Sequence, residues 1–70
     1  MIRLFIEDKK GYVETFDNVY KVSIKKIDNK NNLEINYNSL KNNEYLPLNE
    51  IKLAYLIDVD TMHEYFRYEK

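Results

Sequence analysis

Apolar and polar residues alternate along most of this chain. A period of two belongs to a half-buried β-strand, since a helix repeats its apolar stripe every three to four residues. The clearest run is Leu33-Glu34-Ile35-Asn36-Tyr37-Asn38, and before it Tyr20, Val22 and Ile24 alternate with Lys21, Ser23 and Lys25. Seven Tyr, seven Ile and three Phe add the residue types that suit a pleated surface. With 70 residues the strands are expected to form one small domain, 1–70. A chain of this size buries only about 60% of the surface it exposes unfolded. It has no cysteine for a disulfide or thiolate cage, so packing alone must hold it.

Residues 2–7 read as a first strand with Ile2, Leu4 and Ile6 on one face and Phe5 on the other. Asp8-Lys9-Lys10-Gly11 follows, and its glycine, the only one, can take the left-handed conformation that closes a short hairpin loop. Residues 12–16 return antiparallel, and Asp17-Asn18 turns the chain into a strand over 19–27, where Val19 and Ile27 oppose Tyr20, Val22 and Ile24. Asp28-Asn29-Lys30-Asn31-Asn32 reads as a loop and 33–37 as the strand paired with 19–27. Tyr45-Leu46-Pro47-Leu48 is a short segment that proline confines to an edge or strand end. In 51–57, Ile51, Leu53, Tyr55 and Ile57 share one face and Ala54 and Leu56 the other. Residues 61–70 allow two forms. Thr61-x-x-Glu64 is a capping-box pattern for a short C-terminal helix, whereas Tyr65, Phe66 and Tyr68 suit a closing strand, the form expected here. The fold class is therefore mainly β: an antiparallel bent sheet or partly open barrel of five to six strands, SH3-like or Sm-like in architecture.

Little in the sequence supports catalysis, and no cofactor or metal is expected. Phosphate-cradling loops need two or three glycines, and the single one here is assigned to a turn. His63 is the one imidazole available to activate a hydroxyl, and no diagnostic spacing connects it to Ser23, Ser39, Thr15 or Thr61. Asp58 and Asp60 would share a face of a strand, but the run lacks the glycine and length of a calcium loop, so a solvated acidic edge is the simpler expectation. The longest apolar run, Leu53–Ile57, is too short to span a bilayer, and Arg3 and Glu7 interrupt any N-terminal signal, so a cytoplasmic setting without membrane contact is expected. Asn, Lys, Ile and Tyr supply 32 residues while Gly, Ala, Pro and Arg supply five, a bias that follows AT-rich codons. A low-GC bacterium or one of its phages or mobile elements fits it.

Binding is more legible. The net charge is −1, yet residues 1–43 hold eight basic and six acidic side chains and residues 44–70 three and six. Lys21 and Lys25 share a face, Lys26 lies opposite and Lys30 falls in the loop; with tyrosines to stack on bases, these lysines define a possible nucleotide or single-stranded nucleic-acid site. Lysine on an edge strand is, however, ordinary protection against aggregation. The stronger signal is apolar residues on second faces, among them Phe5 and Leu56, together with the cluster Tyr65, Phe66, Arg67 and Tyr68. One small core cannot enclose them all. These residues lead to an expected non-enzymatic protein-interaction module that binds a larger protein or a second copy of itself. An inhibitor or modulator of a host protein, encoded by a phage or mobile element, is the form that fits the composition.

Overall fold

A computed structural model describes residues 1–70. The elements run β1 (Ile2–Asp8), β2 (Val13–Asp17), β3 (Val19–Ile27), β4 (Lys30–Tyr37), β5 (Glu44–Pro47), a 3-10 turn (Leu48–Glu50), β6 (Ile51–Asp58) and β7 (Glu64–Glu69). They form two antiparallel sheets, a four-stranded one ordered β2-β1-β6-β7 and a three-stranded one ordered β3-β4-β5. No ladder joins β7 to β3 or β2 to β5, so the mainly-β fold is a barrel left partly open. No helix is long and apolar enough to cross a membrane.

Seven strands form because both marginal segments pair. Pro47 occupies the last rung of β5, opposite Asn32, where a missing N–H is tolerated at a sheet edge. The C-terminal segment pairs with β6 from Leu53↔Glu69 to Ile57↔Glu64 and takes the strand form, not the helix. Thr61 Oγ1 accepts the His63 N–H at 3.3 Å and so shapes the β6–β7 turn instead of capping a helix.

Nine residues make the core: Leu4, Ile6, Ile51, Ala54 and Leu56 from the larger sheet and Val19, Val22, Leu33 and Ile35 from the smaller. Ile2, Phe16, Tyr37, Leu46, Leu48, Phe66 and Tyr68 pack around them. Burying a side chain of the leucine or isoleucine class contributes about 1.5–3 kcal/mol, which makes this cluster the main support of a chain without staples.

Three bulges change the faces that simple alternation predicts. Between Val19 and Lys21 the register shifts, so Val19 and Val22 are both buried while Tyr20, expected beside Val22, is 69% exposed. Between Glu7 and Asp8 a second shift turns Ile51 into the core beside Ala54 and Leu56, leaving Leu53, Tyr55 and Ile57 on the outer face. The third lies between Leu56 and Ile57 and frees Tyr65 from a regular rung. Leu56 is thereby corrected from a candidate surface residue to a core residue, 3% exposed.

The turns follow their side chains. Gly11 adopts φ 92, and its N–H reaches the Asp8 carbonyl at 3.0 Å. Asp8 Oδ1 accepts the Lys10 and Tyr12 N–H groups at 2.9 and 3.0 Å, an Asx arrangement that holds the loop. The Asn-rich loop expected over 28–32 shrinks to Asp28 and Asn29, at φ 50 and 65, the two positive values of a hairpin turn whose twist matches its strands. Lys30, Asn31 and Asn32 consequently belong to β4.

Candidate functional site

The outer face of the larger sheet reads as three rows across β2, β1, β6 and β7. They are Asp17-Arg3-Ile57-Glu64, Thr15-Phe5-Tyr55-Arg67 and Val13-Glu7-Leu53-Glu69. In the middle row the Phe5 and Tyr55 rings stack with centroids 5.0 Å apart and planes 14° apart, and the Arg67 guanidinium lies 5.3 Å from the Tyr55 centroid. Arg67 Nη2 reaches Glu64 Oε1 at 2.7 Å and Nη1 reaches Glu69 Oε1 at 2.9 Å. These hydrogen bonds hold the Glu64 carboxyl below the usual carboxylate range and raise the Arg67 guanidinium. Arg3 closes the same face by donating to Asp17 Oδ1 at 2.6 Å. Phe5, Leu53, Tyr55 and Ile57 are all half-buried, so the second-face apolar residues largely cover one another.

The cluster at 65–68 is divided by the sheet. Phe66 and Tyr68 turn inward and pack on the core, Arg67 turns outward over Tyr55, and Tyr65 projects from the bulge, 56% exposed. Tyr65 stands at a cleft of about 270 Å³ between the starts of β3 and β7, lined chiefly by Ile2, Val22, Leu56, Phe66 and the two exposed rings of Tyr20 and Tyr65. The two tyrosines thus meet at an apolar opening although 45 residues separate them in sequence. Ligand pockets for small molecules usually span about 300–1,000 Å³. The cleft is below that range and fits an inserted side chain better than a metabolite. Only the Val19-x-x-Val22 spacing hints in the sequence that Tyr20 leaves its expected face.

The four lysines all fall on the β3–β4 hairpin. Lys21 and Lys25 share the outer face of the smaller sheet, opposite Asn36 and Asn32, while Lys26 pairs with Asn31 on the other face and Lys30 with Ile27 at the turn. Glu34 sits in the middle of that outer face. It accepts from Ser23 Oγ at 3.3 Å and lies 3.6 Å from Lys25 Nζ. Its carboxyl is held below the usual range by hydrogen bonding to Tyr45, then by Asn36, Lys25 and Ser23. A fixed negative charge therefore interrupts the lysine face, and Tyr45, 5.9 Å from Lys25 Nζ, is the aromatic ring beside it.

The remaining polar groups do structural work. Asp58 Oδ1 accepts the Asp60 N–H at 2.9 Å and the Thr61 N–H at 3.4 Å, and the turn amides lower its carboxyl. Asp60 Oδ2 accepts from the N-terminal ammonium at 2.8 Å. The His63 ring packs edge-on against Tyr65, with centroids 4.6 Å apart. A larger opening of about 660 Å³, bounded by Asp28, Lys30, Pro47, Glu50, Tyr68 and Lys70, has only three hydrophobic residues among the eleven that line it, unlike the predominantly apolar lining of a ligand pocket. A third, between β2 and β5, carries Asp8, Glu14 and Glu50 around Val13, Phe16 and Leu46. No group of three or more His, Cys, Asp or Glu is placed to hold a metal ion. Comparison with protein-family models, curated proteins and solved structures gives no match.

Proposed function

We propose that this chain is a non-enzymatic protein-interaction module that binds a larger protein through the cleft between β3 and β7. The observation that carries this is the placement of Tyr20 and Tyr65, two exposed rings on either side of an apolar opening. Tyrosine gives a large contact area at little conformational cost and is over-represented among residues that dominate binding energy. The opening is side-chain sized, which favours a protruding partner residue over a small-molecule ligand. Phe5 and Arg67 take a supporting part, since they are already engaged with Tyr55. The AT-rich residue bias suits a small inhibitor or modulator from a low-GC bacterium or its phage, acting in the cytoplasm.

A nucleic-acid binder is the weaker alternative, because Glu34 holds a negative charge within the face that Lys21 and Lys25 would offer to phosphates. Affinity capture from a host lysate tests the choice. Wild-type protein should retain a stoichiometric protein partner that the folded double variant Tyr20→Ala/Tyr65→Ala releases. Retention unaffected by that variant, or no retained protein at all, overturns the proposal.

A further inference from the structure

Building on that module, we infer that its occupant is an extended, acidic segment of the partner protein. This segment adds as a strand to the free edge of β3 and places one bulky apolar side chain between Tyr20 and Tyr65. β3 is the longest strand, nine residues, and pairs on one side only, with β4. Its other edge therefore presents unpaired backbone N–H and C=O groups, a template for strand addition. The edge opens beside the cleft, because Val19, Tyr20, Lys21 and Val22 line both.

Charge selects the occupant. The β3–β4 hairpin carries Lys21, Lys25, Lys26 and Lys30 against Asp28 and Glu34. Only Lys25 forms an ion pair, with Glu34; Lys21, Lys26 and Lys30 make none. Lys21 and Lys25 flank the edge on one face and Lys26 on the other, so an incoming strand meets positive charge on both faces. A second copy pairing β3 with β3 would set these lysines against one another, which disfavours self-pairing. The acidic strand β2 of another copy is a poor occupant as well, since its Phe16 already packs on the core. The same lysines that discourage aggregation thus admit an acidic strand.

The test is an amide NMR titration with a nine-residue peptide alternating glutamate and valine around a central phenylalanine. Its controls are the same peptide with lysine for glutamate and a single-stranded thymidine oligonucleotide. Shifts are expected at Lys21–Ile27 and at Tyr65 and Phe66, with the lysine peptide at least tenfold weaker. Lys21→Glu/Lys26→Glu should reverse the preference towards the lysine peptide, a gain that simple misfolding cannot produce. Absence of shifts, equal binding of both peptides, tighter binding of the oligonucleotide, or self-association in place of peptide binding overturns the inference. If capture of a partner depends on Tyr20 and Tyr65 but ignores the lysine reversal, the module stands and its acidic occupant falls. If nothing is captured, the module itself falls.

Discussion

Phe5 and Tyr55 stand directly opposite each other on β1 and β6 and stack at 5.0 Å on the outer face of the larger sheet. With Arg67 laid 5.3 Å from the Tyr55 centroid, the pair accounts for apolar groups that the small core cannot enclose. A stacked aromatic pair is worth about 0.5–1.5 kcal/mol beyond its buried area. A double-mutant cycle of Phe5→Ala and Tyr55→Ala, read by denaturant unfolding, should give a coupling in that range. Additive effects would show that the stack contributes nothing beyond two separate burials.

Leu56 separates a core role from a surface role cleanly. At 3% exposure it should behave as a core leucine, and Leu56→Ala should cost about 2–5 kcal/mol. Single cores of this size rarely supply more than about 3–5 kcal/mol, so the variant should be largely unfolded at room temperature by circular dichroism. A folded variant with native melting behaviour would contradict the assignment.

The β3–β4 turn is a second local test. Asn29 holds φ 65, a conformation that glycine adopts without strain and a β-branched residue does not. Asn29→Gly should be neutral or raise stability by up to about 1 kcal/mol, and Asn29→Val should lower it by about 1–2 kcal/mol. In thermal melts the glycine variant should therefore unfold at or above the wild-type temperature and the valine variant below it.

Much of this architecture is legible in the sequence because a period of two is a physical property of the pleat. Leu4 and Ile6, and Leu33 and Ile35, fall on the inward faces that alternation assigns them, whereas Ala54 and Leu56, expected on the outer face of 51–57, turn inward. Legibility ends at the bulges. Nothing in Val19-Tyr20-Lys21-Val22 differs in composition from a regular strand, yet one extra residue there sends Tyr20 out to the cleft. Ile51 joins the core for the same reason. The cleft itself joins residues 45 positions apart, and no local pattern encodes that meeting. The capping-box pattern at Thr61 is not realised: Thr61 Oγ1 accepts the His63 N–H in a turn and Glu64 turns to Arg67, because pairing with β6 outweighs the weak preference of a short helix.

Tyr37 gives the chain an alkaline signature. Its hydroxyl is buried without a hydrogen-bond partner, and burial, followed by the nearby Glu44 and Glu14 carboxylates, pushes its pKa up to about 12. The native value stands above the ordinary 10.0, so the folded state resists ionisation; this contribution to stability is whole below pH 10 and is lost as the pH rises towards 12. Tyr37→Phe removes the unpaired group and should leave stability at neutral pH unchanged or raise it by about 1 kcal/mol. Unfolding measured from pH 9 to 12 should show a shallower decline in the variant, and parallel declines would count against the assignment.

Backbone hydrogen exchange of the captured complex, compared with the free protein, tests docking at the cleft most directly. New protection is expected along Val19–Ile27 and at Tyr65 and Phe66, with β1 and the middle of β6 unchanged. Protection confined to the Phe5–Tyr55 face, or to β2 and β5, contradicts a partner seated between Tyr20 and Tyr65.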